Sequence, residues 1–436
     1  MLILRHTDSD YPSAITRFDR QAAPSREVQA TVAAILEAVQ ARGDEALLAY
    51  TEQFGGPKLT PQTLAVAPEA FARAREAVDA HTREAIALAY ENVRAFAAAS
   101  RRQGWKRTNA QGVEVGERFD PFERVGIYVP GGTAPLVSTA VMTCTLAQEA
   151  GVRQIVVTTP ADASGEVNPA LLYALEVTGA TEVYKVGGAQ AIAALAYGTG
   201  TIAPVVKIFG PGNAYVVEAK RQVFGRVSID LLPGPSEILV IADESANPAW
   251  VAADLLAQAE HGKNSGVVLL TDSEAILSGV QAEIARQAAL LSRGEHLRGV
   301  LAGSTSLILV PDLDAAVALC NRYAPEHTSL ATRQDDAIAQ RLVTSGGIFI
   351  GGYSPVVGGD FMAGPSHTLP TGGAGKSFPG LTVDQFQRRT SLVRFDRESL
   401  GRSLPVIQRF SALEGLDAHG RSAEIRLETP GPGANG

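Results

Sequence analysis

The chain carries seven histidines, and three of them directly follow a glutamate: Glu260-His261, Glu295-His296 and Glu326-His327. A carboxylate beside an imidazole supplies a base for water and a proton carrier that titrates near neutrality. The three neighbourhoods differ. In "WVAADLLAQAEHG", Gln258 and His261 lie three apart at the end of a predicted helix that Gly262 stops, so both project from one face. That spacing makes a usable half of a metal site, and it equally suits a helix-end histidine that satisfies local carbonyls. In "YAPEHTSL", a proline precedes and a β-prone run follows, which puts Glu326 and His327 at a helix-to-strand corner, free to reach into a cleft. Local sequence fits a purely structural role there equally well. In "LSRGEHLRG" all near neighbours are charged or polar, with arginines on both sides, and a solvated loop is expected.

Two further stretches add donors. "GGDFMAGPSHTLPTGG" places Asp360 and His367 in a segment too glycine-rich to be core, and "ALEGLDAHGRSAEIRL" places Glu414 and His419 near the end of the chain. Carboxylates and histidines concentrated in irregular segments are what a hard or borderline cation requires of its ligands. His81 lies among polar residues of a predicted helix and reads as solvated. Cys144 and Cys320 are too few for a disulfide framework, and both sit in apolar helical runs, as buried core thiols do.

A second group of motifs has the chemistry of phosphate. "YVPGGTAPL", "KVGGAQAIA" and "IFGPGNAYV" are glycine-rich where predicted strands end. In open α/β sheets ligands bind outside the carboxyl ends of the strands, where glycine lets backbone N–H groups approach an anion at a helix start. Three such loops together suggest a nucleotide pocket, although each alone reads equally as a tight turn. The dinucleotide fingerprint G-x-G-x-x-G is not met, because "GPGNAY" has Tyr215 in place of the third glycine. The P-loop is missed as well: "PTGGAGKS" has Pro370 where its first glycine belongs, and no strand leads into it.

The elements that must hold these residues follow from periodicity. From Ser25 to about Arg101 apolar residues recur at three and four spacing, so the text is helical, with Gly55-Gly56 as a stop. After "RFDPFE", short β-rich runs alternate with helical stretches, as in βαβ units of a parallel sheet. "VGIYVP", "QIVVTTP", "EVYKVGG", "VVKIFG" and "VSIDLLP" form one series; "SEILVIAD", "SGVVLLTD", "TSLILVPD" and "SGGIFIGGY" form another, joined to the first near residues 233–235. The expected division is an N-terminal extension over 1–24, a first α/β domain from 25–124 and 236–375 that includes the helical part, a second α/β domain over 125–235 with the glycine-rich loops, and a tail over 376–436 too short to build its own sheet. A tail of that kind docks on something else, a second subunit included.

With 436 residues and 45% apolar content the chain can bury at least one large core, and no run approaches the roughly 18 apolar residues of a membrane span. "MLILRHTDSD" lacks the features of a secretory signal, so a cytoplasmic protein is expected. A net charge of -8 without a basic stripe argues against nucleic acid as partner.

Taken together and in order, the motifs resemble one family, histidinol dehydrogenase. The matching stretches are "GIYVPGGTAPLVSTAVM", "VGGAQAIAALAYGT", "KIFGPGNAYVVEAKRQV", "DLLPGPSEILVIAD", "ADLLAQAEHG", "NRYAPEHTSL", "GDFMAGPSHTLPTGG" and "HGRSAEIRL", and they run from about Val125 to Leu427. The resemblance implies oxidation of L-histidinol through its aldehyde to L-histidine, with two NAD used in turn and one zinc per subunit. It implies two incomplete Rossmann-like domains and an intertwined homodimer, with zinc on Gln258, His261, Asp360 and the partner's His419. It further implies a substrate pocket that adds Ser236, His367 and Glu414, NAD against Tyr128, Gln190 and Asn213, His327 as general base, and Glu326 as activator of water in the aldehyde step. Rival readings are a relative that oxidises another small alcohol such as a sulfonated diol, a phosphoryl-transfer protein, and a metal-stabilised binding module without turnover.

Overall fold

The computed structural model describes residues 1–18, 25–131, 136–262 and 264–428. Part of the first glycine-rich loop, 132–135, part of the N-terminal extension, 19–24, and the last residues of the tail lie outside them. The chain forms two compact units: Met1–Ser100 with Phe122–Phe386, and Arg101–Pro121 with the residues from Gln387 on.

The first unit holds two parallel sheets. One has six strands in the spatial order Leu2–Arg5, Thr305–Leu309, Gly266–Thr271, Glu237–Ala242, His327–Ala331 and Gly347–Ile350. Its central strand, EILVIA, is buried at every residue, because helices cover both faces and no alternation with polar residues is required. On one face Ile238 and Val240 pack with Leu255 of the helix Pro248–Ala259 and Leu277 of the helix Glu274–Ala288. On the other, Leu239 and Ile241 pack with Val317 and Cys320 of the helix Leu313–Tyr323. The N-terminal residues read as an extension begin with an edge strand of this sheet, Leu2 opposite Ser306.

The second sheet has five strands in the order Glu182–Tyr184, Gln154–Thr158, Arg124–Tyr128, Lys207–Phe209 and Ser228–Ile229. The N-terminal helices cover it. Val32, Ile35, Leu36 and Val39 line one stripe of the helix Arg26–Arg42 and join the core around Ile192 and Leu195, while Ile86, Val93 and Ala97 of the helix Ala80–Ser100 join the core of the other face. This differs from the grouping expected from sequence, which put the helical stretch with the other sheet. The crossover helices here are short, Gly188–Tyr197 and Ala214–Val223 among them, and the N-terminal helices supply the cover they lack.

The second unit shows what the expectation for the tail missed: the tail builds no sheet of its own but adds one strand to a sheet begun far upstream. Gln387–Arg394 pairs antiparallel with Glu114–Pro121, which pairs with Trp105–Thr108, and the helices Arg397–Glu414 and Asp417–Glu428 follow. The strand's partners lie far away in the sequence, Val393 opposite Val115, and a local reading has no access to such a pairing. The segment around Glu295-His296 is also corrected. It is a helix, Gly294–Gly303, whose Leu297 and Val300 are buried three apart, and His296 is half-buried with Nε2 sealed from solvent and unbonded. His81 is exposed and both cysteines are buried, with burial pushing their thiols up to about 12 for Cys144 and about 11 for Cys320. No described helix is long and apolar enough to cross a membrane.

Candidate active site

Glu326 and His327 stand where the helix Leu313–Tyr323 gives way to the strand His327–Ala331. The turn is made by Ala324, the only described non-glycine residue in the left-handed region (φ 51°), with Pro325 after it. The corner delivers both side chains onto the first residue of the neighbouring strand. Glu326 Oε2 accepts from the backbone N–H of Glu237 at 2.8 Å, and His327 Nδ1 lies 2.9 Å from the carbonyl oxygen of the same residue. A carbonyl can only accept, so Nδ1 carries the proton and a neutral imidazole presents Nε2 as the acceptor. That nitrogen is buried and has no hydrogen-bond partner; the nearest charge is Asp360 Oδ1 at 3.5 Å.

Burial disfavours charge on both residues. It pushes the Glu326 carboxyl up to about 7, with the adjacent imidazole pulling the other way. For His327 burial works downward but is outweighed by the carboxylates of Glu326 and Asp360, which raise it to about 9. A carboxylate lifted into the neutral range is suited to proton transfer, and so is the imidazole, which the two carboxylates hold protonated at neutral pH until a ligand draws off the charge of Asp360 and frees Nε2 to accept.

Asp360 sits on the short helix Val356–Phe361 and is buried. Burial works to raise its pKa, yet the imidazoles of His327, His367 and His261 together hold it below the usual carboxylate range. His367 is fixed by two contacts, Nδ1 to the Asp360 carbonyl at 3.1 Å and Nε2 to the Thr139 hydroxyl at 3.3 Å, and burial keeps its pKa low. Gln258 is buried near the end of the helix Pro248–Ala259, and its Nε2 lies 3.4 Å from Nδ1 of the exposed His261. Ser236 is half-buried immediately before Glu237. Glu414 and His419 are exposed residues of the second unit, on the helices Arg397–Glu414 and Asp417–Glu428.

As a metal site this set is incomplete within the first unit. Gln258, His261 and Asp360 offer one amide, one imidazole and one carboxylate, a mixture of N and O donors that suits a borderline divalent ion. Among the described residues no group of three or more His, Cys, Asp or Glu is placed to hold a metal. A four-coordinate ion on these three donors would take its fourth ligand from outside the set.

The glycine-rich loops converge at the carboxyl edge of the five-stranded sheet. A cavity of about 420 Å³ there is lined by Tyr128, Gln190 and Asn213, one from each loop, by Thr31 of the helix Arg26–Arg42, and by Phe54 and Pro57 in the segment after the helix Asp44–Gln53. Tyr128 accepts from the Gly188 N–H at 3.1 Å, and burial raises its phenol, so the hydroxyl stays protonated and free to donate. Asn213 caps the helix Ala214–Val223, its side chain accepting from Tyr215 and Val216. Gln190 is buried with Oε1 unbonded.

The two sites use opposite sheet edges. Tyr128 ends its strand, whereas Glu237 and His327 begin theirs. The link 230–236 carries the chain from the carboxyl end of the strand Ser228–Ile229 to the amino end of Glu237–Ala242, so the amino edge of one sheet follows on the carboxyl edge of the other. The loop after His367 ties this junction, with the Thr371 hydroxyl accepting from Gly234 N–H and Gly372 N–H donating to Glu237 Oε1 at 3.1 Å. Sequence reasoning passed over Glu237 and Thr139. A glutamate at the head of an otherwise wholly apolar strand was the available signal for the first; the second had none.

An α/β chain with a buried carboxylate–imidazole pair and a loop-lined cavity is equipped as an enzyme that moves protons on a small substrate. A family model described as histidinol dehydrogenase matches residues 18–427. The chain is 43% identical over 429 residues to the histidinol dehydrogenase of Syntrophotalea carbinolica, covering 98% of this chain and 99% of that one. It is 45% identical over 403 residues to that of Agrobacterium fabrum, covering 92% and 93%. The crystal structure of histidinol dehydrogenase from Elizabethkingia anophelis superposes with a TM-score of 0.93 at 35% identity, covering 98% of each chain. The chain belongs to the histidinol dehydrogenase family and is an oxidoreductase, a membership that fits histidine biosynthesis.

Proposed function

We propose that the chain oxidises L-histidinol through L-histidinaldehyde to L-histidine with two NAD, in the cytoplasm, as a homodimer with shared active sites. The observation that carries this reading is the double anchorage of Glu326 and His327 on the backbone of Glu237, which leaves one unbonded imidazole nitrogen facing Asp360.

Gln258, His261 and Asp360, with His419 of the partner subunit, would hold zinc; Tyr128, Gln190 and Asn213 would hold NAD. When bound, zinc would supply an anchor for the substrate's imidazole and amine and offset the charge of Asp360, and NAD would supply the hydride acceptor. The protein's own part is proton handling and orientation. His327 Nε2 takes the substrate hydroxyl proton, with Nδ1 locked on the Glu237 carbonyl so that the accepting nitrogen cannot turn away. In the aldehyde half-reaction Glu326 takes a proton from the attacking water, and His327 serves again as the hydrate is oxidised. Ser236, His367 and Glu414 orient the substrate.

Incubation with histidinol, NAD and zinc, following NADH and free histidine together, tests the proposal. The expected yield is about two NADH for each histidine. One NADH with accumulation of aldehyde, or turnover of another alcohol in preference, would overturn it.

A further inference from the structure

Beneath the cofactor cavity lies an ion pair with no place in the proposed chemistry. Lys220 and Asp230 are both fully buried and bonded to each other. Each also grips the same residue: Lys220 Nζ donates to the Gly210 carbonyl at 2.9 Å, and Asp230 Oδ2 accepts from the Gly210 N–H at 2.7 Å. The second Asp230 oxygen accepts from Leu231 N–H at 2.6 Å. Gly210 is thus held through both its backbone polar groups by opposite charges of one ion pair.

The held residue is a tight one. Gly210 has φ +108°, and a Cβ on it would stand 2.1 Å from the Tyr128 carbonyl oxygen, so the loop "GPGN" lies directly on the end of the strand Arg124–Tyr128. Asn213, three residues on, caps the helix Ala214–Val223, and Lys220 from that helix returns to Gly210. The loop, its helix and the strand end close into a ring that fixes Asn213 beside Tyr128 at the cavity wall.

Stability alone is a poor account of such a pair, because removing two charges from water costs several kcal/mol and well-packed apolar residues of similar volume often serve as well or better. What apolar residues cannot do is hold a peptide N–H and C=O in place. We propose that Lys220 and Asp230 are positioning residues for the NAD loop, setting cofactor affinity without touching the cofactor. The inference rests on the reading of this cavity as the NAD site.

The test replaces the pair by apolar residues, Lys220→Met with Asp230→Leu, in the full-length zinc-loaded protein, and compares melting temperature, kcat and KM for NAD and for histidinol. KM for NAD is expected to rise on the order of tenfold or more, with KM for histidinol and kcat at saturating NAD within about threefold of the parent. A parent-like KM for NAD, or an equal rise in both KM values, would overturn the proposal. Should the double variant not fold, Asp230→Asn is read the same way and must shift KM for NAD selectively. Gln190→Leu separates the two readings: if it raises KM for NAD and the pair variants do not, only the positioning role fails; if it leaves KM for NAD unchanged, the cofactor assignment and this inference fall together.

Discussion

At the scale of single residues the site is an argument about which groups hold protons. Glu326 and His327 share an anchor, yet their proposed duties differ: one serves water, the other serves the hydroxyl and then the hydrate. His327→Asn should therefore depress both oxidations, by on the order of 10²–10⁴ in kcat. Glu326→Gln should do comparable damage to oxidation of supplied histidinaldehyde while leaving the first hydride transfer, read in a single-turnover burst, within about threefold of the parent. A wild-type aldehyde rate in Glu326→Gln would refute the division of labour. The sequence disclosed this pair through its corner, proline before and β-prone run after, and the Gln258–His261 spacing through a helix stop. Glu295-His296 misled because its charged neighbours outweighed Leu297 and Val300, whose three-residue spacing marks the buried face of a helix. An identical dipeptide thus occupies three different settings, and only the flanking residues distinguish them.

At the scale of elements the helix Pro248–Ala259 links chemistry to stability. One turn before Gln258 it carries Asp254, wedged against the strand His327–Ala331 with a single bond from the Ser329 hydroxyl at 3.3 Å, and burial pushes its carboxyl up to about 6. An aspartate in the unfolded chain titrates near 3.9, so ionised Asp254 opposes folding above about pH 6, and the opposition fades as pH falls through 6 toward 4. Asp254→Asn should stabilise the protein at about pH 8 by up to roughly 3 kcal/mol, and the gain should vanish near pH 4. Thermal melts of both forms across that range check it; an unchanged melting temperature at the alkaline end would remove the argument. Apart from the edge strand Leu2–Arg5, read as part of an extension, the strands of both parallel sheets were legible as apolar or β-prone runs because each is self-contained in sequence. The small antiparallel sheet was not, since residues 387–394 alternate like any polar segment and become a strand only through partners at 114–121. The N-terminal helices were legible as helices, but their stripes do not say which of two sheets they cover.

At the scale of the whole molecule the donors divide between two compact units, with Glu414 and His419 in the second. If the partner supplies His419, chains bearing His261→Ala and His419→Ala are each inactive alone but complement when co-expressed, because one site of each heterodimer is intact. Roughly a quarter of wild-type activity is expected from random pairing, and no recovery above the single variants would show that each site is built from one chain. The anchorage of Glu326 and His327 has a consequence of another kind, for divergence of the sequence over time. Both are held by main-chain atoms of position 237, so their orientation is inherited through the peptide; the Glu237 carboxylate accepts from the Gly372 N–H besides. Point substitutions there, other than proline, which lacks the N–H that Glu326 accepts from, can drift without misaligning the acid–base pair. A one-residue insertion or deletion at the head of that strand cannot, because a shift of one reverses which groups face which side.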